Sequence, residues 1–192
     1  MDFIVNKIVD KAEENYDFSR FELAKLKYML EVIILNTGEF ILFLGVFAYL
    51  GKVAELFVAT GVLLSVRTFA GGFHFVKFRY CVIVSLAALW LVIMVLPVID
   101  LTNNGLLEVL LVISLLINIA LAPVSKRKSG QTPKVRYIFK GISTAIMLAI
   151  SYFILNYQDS PFASIAVWIL FFQSVQLIIG KGMITNEKAY SK

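Results

Sequence analysis

The chain has 192 residues, 59% of them hydrophobic and 16% charged, with a mean hydropathy of +0.83; soluble domains are roughly 45–50% apolar. This composition excludes disordered, collagenous and disulfide-scaffold chains, and at about 20 apolar residues per crossing it allows about six membrane helices and little else. A single cysteine, Cys81, excludes an intrachain disulfide and a four-thiolate metal site, and the formal charge of +5 sets up a test of orientation.

The first 30 residues carry charge throughout, with no uninterrupted apolar core of the kind a secretory signal needs. Ile4, Ile8 and Ala12 share one face of a first helix, and Ser19-Arg20-Phe21-Glu22 has the spacing of a capping box, so a second helix begins near Arg20. The segment 1–30 is expected to be cytoplasmic or interfacial, as a lipid anchor or a partner-binding surface. Six apolar runs follow at about 32–50, 53–70, 80–99, 105–123, 137–155 and 161–180. Short connections rich in Gly, Pro, Asn or charge separate them, and Ser160-Pro161 opens the last as an N-cap followed by proline at the first helical position. The fold expected is an all-α membrane bundle of about six transmembrane helices in one domain, 1–192, with an amphipathic N-terminal segment.

Lys and Arg accumulate in cytoplasmic connections. Assigning alternate connections to opposite sides puts 17 of the 18 basic residues on one side and leaves only Lys52 on the other, near Asp100 and Asp159. An even number of spans with both termini in the cytoplasm produces this asymmetry. No inverted repeat stands out, which weakens a secondary-transporter reading.

Polar residues within spans are costly in hydrocarbon and mark interior faces or cavities. Counted from the expected boundaries, Asn36, Glu39, Ser65, Asn118, Gln173 and Gln176 all fall in the cytoplasmic half, whereas Glu55 and Glu108 lie near the outer edge. A polar cavity open to the cytoplasm accounts for that bias; hydrogen-bonded bridges between helices account for any one Asn or Gln equally well.

The densest polar feature is the connection from Arg67 to Cys81, which contains the chain's only histidine, His74, and its only cysteine. A thiol becomes a nucleophile as its thiolate, which an imidazole base and nearby cations favour. Arg67, Lys77 and Arg79 supply the cations, His74 a proton shuttle to a leaving amine, and the backbone N–H groups at Gly71-Gly72 candidate oxyanion donors. Seven residues of straight helix separate two side chains by about 10.5 Å along the axis, too far for proton transfer. A dyad therefore requires a break or re-entrant fold near 67–81, with a turn within 73–80. The bland alternatives are a packing cysteine and an interfacial histidine. Metal binding has too few ligands unless Glu39 or a second subunit contributes. The run Lys126-Arg127-Lys128 between spans four and five serves as a topology determinant and anionic-lipid contact, or draws an acidic peptide inward.

The pattern Arg67-x3-Gly71-Gly72-x-His74-x6-Cys81, in a chain of this size and span pattern, resembles the accessory gene regulator protein B (AgrB) family. Members are bacterial membrane endopeptidases that process the propeptide of a quorum-sensing signal. The resemblance implies His74 and Cys81 as the catalytic pair, with Arg67, Gly71 and Gly72 shaping the site. It implies that Cys81 removes the propeptide's C-terminal tail through a thioester, which a substrate thiol or hydroxyl captures as a cyclic thiolactone or lactone. It also implies a multi-pass protein of the bacterial plasma membrane with a cytoplasmic active site, an amphipathic propeptide and membrane lipids as partners, and homodimers. No cofactor, metal or nucleic acid is expected. The residue orienting His74 is left open, with Asn36, Glu39, Gln173 and Gln176 as candidates by depth. The alternative function is a small peptide or ion transporter with Cys81 incidental.

Overall fold

The structure is a computed structural model that describes residues 2–15, 18–72, 78–99, 101, 105–124 and 132–190; for 2–4, 14, 78–79 and 184–190 only the backbone is described. The chain is an all-α, multi-spanning membrane bundle whose residues group into two compact units, 1–51 and 52–192.

In the N-terminal unit α1 (Asp2–Asn15) lies against α2 (Arg20–Tyr49). The capping box forms as expected. Ser19 Oγ accepts the Glu22 amide at 3.3 Å, and the Ser19 amide donates back to Glu22 Oε2 at 2.8 Å, so two of the helix's orphan donors are satisfied reciprocally. At about 1.5 Å per residue the 30-residue α2 is about 45 Å long, so one unbroken helix carries both the charged start and the first apolar run. The covered face of α1 coincides with the expected one at Ala12 and departs from it at Ile8. Val5 is buried, Val9 and Ala12 are half-buried, and Ile8 is 43% exposed. The segment has two adjacent apolar rows, and only contact with the rest of the fold selects which one is covered.

The second unit contains α3 (Val53–Ala70), α4 (Phe78–Trp90), α5 (Leu106–Leu121), α6 (Pro133–Asn156) and α7 (Pro161–Tyr190). The fourth helix continues as a π stretch, Leu91–Val95, and a 3-10 turn, Leu96–Val98. Pro97 has no N–H and cannot extend an α-helical ladder, so the bonding widens and then tightens before the chain leaves. Among the described residues, five helices are long and apolar enough to cross a membrane: Arg20–Tyr49, Val53–Ala70, Tyr80–Val98, Pro133–Asn156 and Pro161–Met183. The fourth apolar run gives a shorter helix than its expected 105–123. At 16 residues α5 spans about 24 Å, because Pro123 stops it and Ala122 is already extended.

Helix α7 occupies the centre of this unit. Half of its apolar window is buried, and it packs against α3, α5 and α6. Pro161 opens it as expected, with the Ser160 hydroxyl accepting from the Phe162 amide at 3.3 Å. Ala163 and Ala166 keep its first turns narrow where neighbours approach, and Val167, Leu170 and Leu177 fill the core further along. Polar residues stitch the same interfaces. Asn118 Nδ2 donates to Ser143 Oγ at 3.2 Å and Thr144 Oγ1 at 3.3 Å, joining α5 to α6, and Ser174 Oγ donates to the Ser114 carbonyl at 3.2 Å, joining α7 to α5. Asn118 therefore plays the bridging role that its depth also allowed. Ser65 instead turns its hydroxyl back onto the Val62 carbonyl of its own helix at 2.9 Å.

Loss of the Asn118 bridge should be measurable. Asn118→Ala is expected to lower bundle stability in mixed micelles by about 1 kcal/mol, the scale of interhelical side-chain bonds in membrane proteins. The double variant with Ser143→Ala should cost less than the sum of the single changes, because both report on one contact.

Candidate functional site

The glycine pair ends α3. Gly71 closes the last helical bond, its N–H donating to the Arg67 carbonyl at 2.8 Å, and then turns the chain out with φ +79° and ψ −154°. Only glycine suits this position. The positive φ is unfavourable for an L side chain, and a Cβ there would collide with the backbone carbonyl of Val124. Val124 comes from the other side of the site, just after Ala122-Pro123 ends α5. It pairs with the glycine segment as a short parallel bridge, with Gly72 N–H donating to the Val124 carbonyl at 2.9 Å and Val124 N–H to the Ala70 carbonyl at 2.8 Å.

From α7, Gln173 Nε2 donates to the Gly71 carbonyl at 2.7 Å. Gln173 is 1% exposed. Gln176 lies one turn along the same face, and around the position a Gly72 Cβ would take stand Gln176 Oε1 at 3.4 Å, Arg67 Nε at 3.6 Å and Gln173 Nε2 at 3.8 Å. Arg67, Gly71, Gly72, Gln173 and Gln176, singled out in sequence as separate candidates, thus meet in one place. The side-chain oxygens of Gln173 and Gln176 are both buried and accept no hydrogen bond from the described residues.

One expectation changes in this light. The N–H groups of Gly71 and Gly72 are both donated to protein carbonyls, so in this arrangement neither is available to an oxyanion, and the glycines act by shaping the chain. Gln173 gives one amide N–H to Gly71 and has a second donor and its oxygen besides.

Cys81 is half-buried in the first turn of α4, with Tyr80 beside it 56% exposed. Helix α3 ends at Ala70, and Gly71 and Gly72 are non-helical; of the turn expected within 73–80, residues 73–77 lie outside the described residues and Phe78, Arg79 and Tyr80 are helical. His74 and Lys77 lie outside the described residues, as do Lys126, Arg127 and Lys128. Asn36, exposed, and Glu39, half-buried, belong to α2 of the other unit. Among the described residues, no three His, Cys, Asp or Glu side chains group as metal ligands.

Sequence reasoning did not find Val124. It contributes only backbone groups, and the one local sign of its role was the proline that ends the preceding helix. The geometry ranks the two glycines. Gly71→Ala should destabilise the folded protein by more than about 2 kcal/mol, since left-handed strain adds to a backbone collision that no rotamer relieves. Gly72→Ala, whose Cβ would meet side chains at van der Waals range, should cost less; thermal unfolding in detergent compares the two.

The family model for Accessory gene regulator B matches residues 2–177. A protein of Clostridium beijerinckii named as AgrB-like is 24% identical over 180 residues, covering 92% of this chain and 88% of that protein. No solved structure matches the chain at a significant level. With nearly its whole length matched, including the helix break and Cys81, the chain belongs to the accessory gene regulator B family.

Proposed function

We propose that this protein is a membrane-embedded cysteine endopeptidase that trims the C-terminal tail from a signal propeptide. The observation that carries the reading is the family match over residues 2–177, which takes in the whole stretch from Arg67 to Cys81. The structure is compatible with it in one specific respect: Cys81 stands in the first turn of a helix that follows a glycine-made break.

In the proposed reaction the Cys81 thiolate attacks the carbonyl carbon of the scissile peptide bond. Negative charge builds on the carbonyl oxygen, and as the C–N bond breaks, His74 hands its proton to the departing amine, so the tail leaves with a free N-terminus. The first-turn N–H groups of α4 have no partners within their helix and replace the glycine amides as candidate donors to that oxygen. The retained peptide is then a thioester on Cys81. A thiol or hydroxyl of the same peptide attacks the thioester carbonyl, closing a thiolactone or lactone and returning the Cys81 sulfur as a thiol. Exclusion of water favours this intramolecular attack over hydrolysis, because a tethered nucleophile has a high effective molarity.

The distribution of Lys and Arg supports a reading with both termini and this chemistry on the cytoplasmic side. An amphipathic propeptide lying in the same interface reaches the site by diffusion in two dimensions. The run Lys126-Arg127-Lys128 adds a positive field that holds anionic lipid or acidic parts of the peptide near the membrane.

Cys81→Ser and His74→Ala should each lower propeptide cleavage in reconstituted vesicles by on the order of 10³-fold or more, with insertion unchanged. Intact-protein mass spectrometry of the native enzyme under single turnover should show the shortened peptide attached at Cys81. Normal processing by both variants would end the peptidase reading.

A further inference from the structure

The geometry points to Gln173 as a positioning residue for the reaction, acting on the peptide unit between Gly71 and Gly72; this inference rests on the peptidase reading above. The carbonyl of Gly71 and the N–H of Gly72 are the two ends of one planar amide. Gln173 Nε2 holds the carbonyl end at 2.7 Å, and the Val124 carbonyl holds the N–H end at 2.9 Å. A single peptide plane is therefore clamped from opposite sides, once by the central helix α7 and once by the segment that leaves α5.

The clamp matters because of its flanks. Glycine on both sides of a peptide bond makes rotation of its plane cheap, and such a rotation redirects every following residue. His74 is two residues beyond Gly72, and the chain re-enters helix at Phe78 ahead of Cys81. Without the Gln173 donor, the part-buried Gly71 carbonyl would lose that hydrogen bond, and its plane would be freer to turn about the remaining bond to Val124. The pair Gly71-Gly72 lets the chain leave α3, and Gln173 determines the direction in which it leaves. Ser174 is an internal comparison. It is equally buried and adjacent on α7, but its hydroxyl joins Ser114 and Leu170 and touches no part of the break.

The test compares wild type, Gln173→Leu, Ser174→Ala and Cys81→Ser as full-length proteins in vesicles, reading cleavage kinetics together with exchange of the Gly72 amide hydrogen by mass spectrometry. Gln173→Leu is expected to lower kcat about 10- to 100-fold with KM within about twofold, and to speed Gly72 exchange about tenfold, since misplacing a reacting group slows chemistry more than binding. Ser174→Ala should change neither readout. The proposal is overturned if Gln173→Leu matches wild type in kcat or in exchange, or if Ser174→Ala loses kcat to the same degree, which would mark general damage to the bundle. Should the leucine variant fail to insert, Gln173→Asn keeps the amide but withdraws it by one methylene, and the same two readouts with the same expectations decide. Cleavage by Cys81→Ser would remove the peptidase reading alone, and Gly72 exchange would still judge the clamp.

Discussion

A helix that stops within a membrane protein must find new partners for every backbone group its ladder no longer serves, because hydrocarbon offers none. That requirement organises the centre of this molecule. Where α3 ends, the Ala70 carbonyl takes the Val124 N–H, the Gly72 N–H goes to the Val124 carbonyl, and the Gly71 carbonyl receives Gln173. A residue with no chemistry of its own, Val124, thus becomes as necessary to the break as the glycines. The close approach that makes this pairing work is also what forbids a Cβ at Gly71.

The central position of α7 follows from the same requirement. To reach the break with a side-chain amide, one helix must carry a polar residue deep in the bundle, and that residue is tolerable only among neighbours that enclose it. Small residues at Ala163 and Ala166 let α7 sit closely against other helices, and Gln173 and Gln176 occupy one face a few turns later. The buried polar residues are not scattered. Asn118, Ser143, Ser174 and Gln173 either join helices or hold the break, while the side-chain oxygens of Asn118 and Gln173 accept no hydrogen bond from the described residues.

Much of this could be read from the residues because its causes are local. The capping box at Ser19, the proline start at Pro161, the apolar runs and the end of α3 at the glycine pair all depend on residues within a few positions of one another. What escaped depends on distance in sequence. The covered row of α1, with Val5 buried and Ile8 exposed, is selected by tertiary contact, which the spacing of Ile4, Ile8 and Ala12 does not report. The depth of Gln173 was legible, but its partner was not. A hydrogen bond across about a hundred residues has no signature in one chain, and the imidazole was the more obvious acceptor than a glycine carbonyl. The availability of the glycine amides failed for a similar reason, since residues that free a backbone from its helix also free it to pair elsewhere.

That last point constrains any mechanism written for this family member. With the Gly71 and Gly72 amides committed, stabilisation of an oxyanion in the proposed reaction has to come from another source, for which the start of α4 is the candidate. The leading N–H groups of a helix lack partners within it, and Cys81 follows directly after them in the first turn of α4. A nucleophile and its oxyanion donors would then share one rigid element, while the glycine break sets where the histidine-bearing segment begins. In the proposed reaction a division of labour of this kind gives the glycines a use although they donate nothing to it. They create the corner, Gln173 and Val124 hold it, and the proposed chemistry falls to the residues on either side.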